Sequence, residues 1–341
     1  MNKRVIPDSH VAGEGKSRFS RRMFLGASAA AAPLLLLVGA NGSRAQEAEL
    51  ATFTDDRGRM VEFPASGARV VAQSTSASAL WDFGFHPVGI FGPTKMPDGS
   101  VDFQAGDVDL DEVTSVGDYG ALDTEALIAL DPDLYVDLTW GEGALWYLTP
   151  EEEAQVEKIA PTVGILMQQR SIVESIERFR ELAGLLGADT NAPEVLANIE
   201  QFEAGSQAIK QAIEGKADLK VLVISPDQEQ VYIASPRYMV DLNYYQELGV
   251  NIVDHATDDF WEIVSWEQIG NYPADLILID GRSGESTFEL LEGIGIWKSL
   301  PAVAAGQVGT WYAGAPYSYG RLAPTFQELA DQLANANIVT S

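Results

Sequence analysis

Cysteine is absent from the 341-residue chain. No disulfide can form, and no lipid can be attached through a cysteine at a cleavage site. Histidine is nearly absent too: of three, only His86 and His255 lie beyond the N-terminal segment. A receptor for bare zinc or manganese draws on histidines and carboxylates together, so two isolated histidines argue against one. His86 precedes a proline between a helix and a strand and is expected to pack there. His255, near a strand end, is a candidate to reach a cleft. Positive charge is scarce, with 22 Lys+Arg against 50 Asp+Glu. Phosphate backbones are bound by clustered Lys and Arg, so nucleic acid is not expected as a partner. Catalytic signatures are also missing: there is no Gly-x-Ser-x-Gly elbow and no phosphate-cradling loop ending in Gly-Lys. Gly293-Ile294-Gly295 lacks the third glycine of a dinucleotide fingerprint. Acidic pairs are so frequent that a glycosidase-like dyad carries no information; the expectation is that the chain is not an enzyme, with a secreted hydrolase as the remote alternative.

Long apolar runs are confined to one stretch, Ala27 to Ala40, interrupted by Pro33. It is shorter than the ~20 residues of a spanning helix. SRRMFL precedes it (residues 20–25) and Ser43-Arg44-Ala45 follows. This is the pattern of a twin-arginine export signal cut near Ala45. Residues 1–45 are therefore expected to be removed, leaving a soluble periplasmic protein with no membrane anchor. Such export follows folding, so a monomer is expected. Seven basic and two acidic residues lie in the leader, so 15 basic and 48 acidic residues remain, a net charge of −33. The acids are spread along the chain, which suits solubility; a preference for neutral or cationic ligands is the sharper alternative.

What is present is a repeating layout. Residues 51–63 alternate about Asp-Arg-Gly and read as a hairpin. Short apolar strands then alternate with helical patterns: strands at 70–73, 88–91, 134–138 and 163–167, helices at 77–83, 124–130, 151–159 and 172–186. A long stripe follows, Val195, Ile199, Phe202, Ser206, Ile209 and Ile213, begun by Pro193 and ended by Gly215. Gly205 weakens it slightly. Strands then resume at 221–224, 231–234, 251–254, 276–280 and 308–312, with helices at 238–248, 266–271 and 322–336. Short apolar strands between helices argue α/β layering with mostly parallel sheets. The expected fold is two Rossmann-like α/β lobes joined by a single long α-helix. The expected divisions are 46–190, 191–215 and 216–341, with limited hinge motion about a helical joint.

One phrase is written twice. TEALIALDPDLYVDL occupies residues 124–138 and WEQIGNYPADLILID residues 266–280. In each, a glutamate stands eight residues before an aspartate and an apolar strand follows: Glu125 to Asp133, Glu267 to Asp275. Thr124 and Ser265 are plausible caps. Each glutamate could simply favour the positive end of its helix. Two at matching positions suggest a shared role or shared ancestry. Two carboxylates at two lobe tips suit a two-fold-related partner carrying arginines.

The order of these features resembles the class III periplasmic substrate-binding proteins of ABC importers, which handle ferric siderophores, vitamin B12 and haem. The resemblance covers residues 50–337. It rests on the initial hairpin, VVAQSTSASALWDFGFHPVGIFG (70–92), VGDYGALDTEALIALDPDLYV (116–136), the long helix, VSWEQIGNYPADLILI (264–279) and YSYGRLAPTFQELADQL (317–333). The resemblance implies that Glu125 and Glu267 engage arginines of a permease dimer. It also implies a ligand cleft between the lobes, lined from loops after strands. Candidates in the first lobe are Ser74, Thr75, Pro93, Tyr119, Trp140, Trp146 and Tyr147. Candidates in the second are Arg237, Tyr238, Trp261, Arg282, Trp311, Tyr312, Tyr317, Tyr319 and Arg321. About half of the aromatics are expected to be ordinary core. A chelated iron brings its own ligands, so no cofactor and no protein metal site are expected. The implied function is capture of a ferric siderophore for an importer. Cobalamin or haem on the same scaffold is the alternative, since a tyrosine could serve as an axial haem ligand. Three cleft arginines in so acidic a chain suit a neutral or weakly charged hydroxamate or mixed-ligand complex better than an anionic catecholate.

Overall fold

The computed structural model describes residues 49–96, 99–141, 143–283, 285–314 and 316–340. The export-signal reading of residues 1–45 lies outside them.

The chain opens with β1 (Leu50–Thr54) and β2 (Met60–Pro64), an antiparallel pair with Phe53 opposite Val61. Every second residue is buried on both strands, as the alternation predicts. The first lobe follows as β3 (Val70–Gln73), α1 (Ser74–Asp82), β4 (Gly89–Phe91), β5 (Thr114–Ser115), β6 (Gly117–Asp118), β7 (Ala121–Leu122), α2 (Thr124–Ala129), β8 (Leu134–Thr139), α3 (Pro150–Val156) and β9 (Thr162–Leu166). Its sheet is parallel throughout, in the order β5-β4-β3-β8-β9, and β6 and β7 form a small antiparallel pair. Then come α4 (Ile172–Leu185) and α5 (Pro193–Ala212).

The second lobe runs β10 (Lys220–Pro226), β11 (Gln230–Ala234), α6 (Val240–Glu247), β12 (Asn251–Ile252), β13 (Trp261–Ser265), a 3₁₀ turn (Trp266–Asn271), β14 (Leu276–Asp280), α7 (Glu285–Glu292), α8 (Gly295–Lys298), α9 (Pro301–Ala304), β15 (Val308–Trp311) and α10 (Tyr319–Asn335). Its sheet has the order β13-β11-β10-β14-β15, with β12 beside the start of β10. The contacts of β10 with β12 and β14, and of β14 with β15, are parallel; those of β11 with β10 and β13 are antiparallel. Strand β13 and helices α7 to α9 were not apparent in the sequence.

Strand alternation builds the cores. Leu134, Val136 and Leu138 of β8, Val221 and Val223 of β10, and Leu276 and Leu278 of β14 enter one apolar core that runs through both lobes. Their neighbours Leu222, Ile224, Ile277 and Ile279 point to the outer face of the second sheet, against Trp266 and Trp297. Val71 and Tyr135 do the same for the first sheet, against Leu127 and Val156. Strands buried on both faces are apolar at most positions, which is why they read as near-continuous runs; the fully buried Asp137 of β8 is a departure.

The joint is α5 with α10 laid against it. Phe202 of α5 sits at its centre, with ring centroids 4.7 Å from Phe326, 5.0 Å from Tyr319 and 5.7 Å from Tyr244. Asp82, at the end of α1, accepts from Asn198 Nδ2 on α5 at 2.7 Å and from the Gly320 amide on α10 at 3.3 Å. Tyr319 Oη donates to Glu177 on α4 at 2.7 Å. The expected stripe holds, but Ile199 and Ile213 are only partly buried.

The repeated phrase has a structural counterpart. Asp133 accepts the Arg69 amide at 2.8 Å while its own amide donates to the Arg69 carbonyl at 2.8 Å. Asp275 makes the same pair with Lys220, at 2.9 and 2.8 Å. Each aspartate thus fixes the start of its strand against the neighbouring parallel strand, β3 in one lobe and β10 in the other. Helix α2 is capped by Asp123, whose carboxylate accepts the Ala126 amide at 2.9 Å. Thr124 is the first helical residue instead, and its hydroxyl donates to Gln155 at 2.8 Å. Ser265 does stand at the cap position before the 3₁₀ turn, its amide donating to Gln268 at 3.1 Å.

Candidate functional site

The loops after β4, β8, β11 and β15 converge between the lobes. Tyr119, which follows the β6 strand, stacks on Tyr147 with centroids 4.5 Å apart. Its hydroxyl accepts from Gln73 Nε2 at 2.6 Å and donates to Gln104 at 2.9 Å. Burial pushes the pKa of this phenol well up, so it stays a neutral hydrogen-bonding group. Ser74 is fully buried and donates to the Phe91 carbonyl at 3.1 Å. It backs Tyr119 rather than lining open space: a Cβ on Gly92, whose φ is +108°, would stand 2.6 Å from the Tyr119 ring and 2.9 Å from Ser74 Oγ. Only glycine fits there. Thr75 is also fully buried, at the start of α1.

A second group joins the lobes directly. Trp140 and Trp146 stack at 5.0 Å, and Trp140 lies parallel to Tyr238 of the second lobe at 6.0 Å. Phe260 inserts among them, 4.2 Å from Trp140, 5.7 Å from Trp146 and 6.2 Å from Tyr238. Edge-to-face and offset contacts of this kind suit the ring quadrupoles. The sequence pointed to Trp261. That ring instead meets Trp311 at 6.1 Å and Tyr232 at 6.3 Å within its own lobe, and its neighbour Phe260 meets the first-lobe rings. Successive residues entering a strand point to opposite sides, so of these two adjacent aromatics only one faces the first lobe.

A third group also crosses between the lobes. Phe103 of the first lobe stacks on Tyr312 at 4.3 Å, and the Arg321 guanidinium lies 5.5 Å from the Phe103 centroid. Arg321 Nη1 also reaches Asp107 at 3.1 Å. Phe103, Gln104, Asp107 and Phe260 were not foreseen. The first two lie in a single 3₁₀ turn, Phe103–Ala105, and Asp107 follows it, in an acidic stretch with no periodicity to mark it.

The arginines differ in freedom. Arg237 is exposed, yet each of its guanidinium nitrogens is engaged within its own lobe: Nε to Asp254 at 2.7 Å, Nη1 to Asp258 at 3.3 Å, Nη2 to the His255 and Thr257 carbonyls at 2.7 and 2.9 Å. It therefore clamps the loop 254–258. Arg282 is gripped by Asp280, with Nε at 3.0 and 2.8 Å from the two carboxylate oxygens and Nη2 at 2.6 Å. Burial alone would lower the Arg282 pKa; Asp280 outweighs it and holds the guanidinium charged. Tyr147 and Asp102 lie near enough to act on the same charge.

Tyr317 is buried, 5.8 Å from the Phe179 ring, and Tyr319 belongs to the joint. Trp311 is buried and donates to Asp241 at 2.6 Å. His255 is buried with Nδ1 2.8 Å from Thr257 Oγ1; His86 stacks on Trp81 at 3.7 Å but is exposed, with Nδ1 3.5 Å from Glu112. Glu125 and Glu267 are exposed in the first turns of α2 and of the 3₁₀ turn. The Ser265 hydroxyl and the backbone at Glu267 hold the latter carboxyl below its ordinary range.

Two α/β lobes joined by a helix, with aromatic loops facing across the gap, are the architecture of a binding protein that encloses a small ligand. The family model described as periplasmic binding protein matches residues 71–313, and the chain belongs to that family. The chain is similar to DesE, a ferric-siderophore receptor protein from Streptomyces coelicolor. The two are 35% identical, with 85% of this chain and 99% of that one covered and a TM-score of 0.79. It is 24% identical to the Fe(3+)-citrate-binding protein YfmC of Bacillus subtilis, over 79% of this chain and 80% of the relative. It is 25% identical to the iron(3+)-hydroxamate-binding protein FhuD of the same organism, over 58% and 60%.

Proposed function

We propose that this chain is an extracytoplasmic binding protein that captures a ferric siderophore and delivers it to the permease of an ABC importer. The observation that carries this is the set of rings meeting across the lobes, Trp140 and Trp146 against Tyr238 and Phe260, in a chain 35% identical to a ferric-siderophore receptor. A chelate supplies its own iron ligands, so the protein needs apolar and hydrogen-bonding contacts rather than a metal site. Ser74 and Tyr317 support the rings around them, while Tyr119, Trp140, Trp146, Tyr238, Arg282, Tyr312 and Arg321 are the ligand-facing set. Trp261 and Arg237 shape the second-lobe side of the cleft. The first lobe is taken as 46–190 and the second as 216–341. Export is by the twin-arginine signal at residues 20–25, with cleavage near Ala45, and the mature chain acts as a periplasmic monomer. It turns over no substrate. Glu125 and Glu267 are its contacts to arginines of the permease dimer, a role that their exposure at matching places in the two lobes supports.

The test is tryptophan fluorescence of the mature protein titrated with ferric hydroxamate, ferric catecholate, ferric citrate, cobalamin and haem. Saturable quenching by a ferric chelate alone is expected. Saturation only by cobalamin or haem would discard the iron assignment. Charge reversal of both glutamates (Glu125→Arg with Glu267→Arg) is expected to abolish permease-dependent uptake and leave chelate affinity unchanged; continued uptake would sink the docking role.

A further inference from the structure

Each arginine that reaches the cleft arrives with a carboxylate already bound. Arg282 is held by Asp280, whose side chain is only 3% exposed and so cannot swing away into solvent. Asp280 is fixed from behind as well, its Oδ1 accepting the Arg282 amide at 3.2 Å and the Ala313 amide at 3.4 Å. Arg321 is paired with Asp107, and Arg237 with both Asp254 and Asp258. Three guanidinium groups therefore face four carboxylates, and Asp102 adds a further negative charge near Arg282. An anionic ligand approaching these arginines meets charges already paired, in a short contact with a buried carboxylate at Arg282 and in more exposed contacts at Arg237 and Arg321. Capturing Arg282 means breaking a bidentate contact and leaving the buried Asp280 uncompensated, a step costly enough to act as a filter; the pairs of Arg237 and Arg321, made with the more exposed Asp254, Asp258 and Asp107, add less. A neutral ligand breaks no pair. A cationic group is favoured by the acids and by the ring faces around them. The chain's net charge of −28, more negative still without its basic leader, adds long-range repulsion of the same sign.

We propose that Asp280, seconded by Asp107, sets the charge selectivity of the cleft. By holding Arg282 and Arg321 neutralised, these carboxylates make the site select ferric complexes of net charge zero or +1 and reject trianionic tris-catecholate complexes. This rests on the ferric-siderophore reading and narrows it to one class of ligand.

The test is a charge series at constant iron core, read by tryptophan quenching at about 0.15 M salt, where only close charges act. The probes are one ferric tris-hydroxamate bearing a terminal ammonium (+1), the same chelate acetylated (0), the same chelate succinylated (−1), and a ferric tris-catecholate (−3). The +1 and neutral forms are expected to bind at least about tenfold more tightly than the −1 form, with no saturation by the −3 form over the same range. Asp280→Asn, which unmasks Arg282, is expected to close the gap between the neutral and −1 forms by about tenfold. Asp107→Asn replaces a residue whose side chain is 66% exposed, so folding is not at risk, and it should shift the ratio in the same direction through Arg321. Equal binding of the neutral and −3 complexes by the unaltered protein would overturn the proposal. So would an unchanged ratio in Asp107→Asn together with an unchanged ratio, or a loss of folding, in Asp280→Asn. Saturation without charge order would overturn this inference and leave the ferric-siderophore reading standing, whereas no saturation by any of the four would overturn both.

Discussion

Two buried aspartates show how surroundings decide what a carboxyl does. Asp241 lies in the second lobe beside a small cavity lined also by Phe103, Trp311 and Tyr312. Burial raises its pKa to about 6, against the lowering effect of the Trp311 indole N–H. Its folded value thus exceeds its unfolded value of about 4. Between those two values the native state holds the proton more tightly, so this group's contribution to stability falls as pH rises through the window. Asp241→Asn is therefore expected to gain on the order of 2 kcal/mol relative to the parent between pH 4 and pH 7. Urea unfolding at both values checks this, and a pH-independent difference would refute it. Asp275 is the opposite case. Burial would raise its pKa, but hydrogen bonds from the amides of Lys220, Val339 and Thr340 and from the Thr340 hydroxyl outweigh burial and lower it. Its stabilising contribution is present above the unfolded pKa and is lost as pH falls through the folded one. Asp275→Ala is expected to cost about 2–4 kcal/mol at neutral pH, the difference from the parent narrowing on acidification; a constant or widening difference would contradict this.

At the scale of elements, the joint depends on one small residue. A Cβ built on Gly205 of α5 would stand 2.9 Å from Phe326 Cβ and 3.3 Å from the Ala323 carbonyl oxygen on α10. Alanine gains about 1 kcal/mol of helix propensity over glycine, but forcing the two backbones apart costs about 1–3 kcal/mol. Gly205→Ala is thus expected to lower the urea midpoint at an unchanged slope. A higher midpoint would mean that α10 yields without cost. The sequence marked Gly205 only as a weakness, because what it accommodates comes from more than a hundred residues away. The strands β3, β8 and β14 were legible because burial on both faces leaves continuous apolar runs. Strand β13 was not: WEIVS ends in Ser265, a helix-start signal, and an antiparallel edge strand needs no such run. Helices α8 and α9, of four residues each, were hidden by their brevity, and Gly293 and Gly295 punctuate the passage from α7 to α8.

For the whole molecule, charge is the dominant feature. With 22 basic and 50 acidic residues, self-repulsion opposes the compact state and salt relieves it. Raising ionic strength from about 0.01 M to about 0.3 M shortens the screening length from roughly 30 Å to under 8 Å. The melting temperature is expected to rise by several degrees across that range. A flat or falling profile in a calorimetric salt series would show that local pairs such as Arg57 with Asp55 and Arg282 with Asp280 outweigh the summed repulsion.

The sequence by itself determined the two α/β lobes, the long helix between them and the duplicated glutamate–aspartate phrase, because these follow from local periodicity and from residues close in the chain. It also named most of the rings that meet between the lobes. Only the tertiary structure decided which of two adjacent aromatics meets the first-lobe rings, Phe260 rather than Trp261. It alone showed that the aspartates of the repeated phrase pin parallel strands, and that Arg237, Arg282 and Arg321 are already paired with carboxylates. Those features depend on backbone direction and on partners distant in sequence, such as Arg321 with Asp107. Side-chain orientation and long-range pairing are fixed by packing, and packing leaves no periodic mark along the chain.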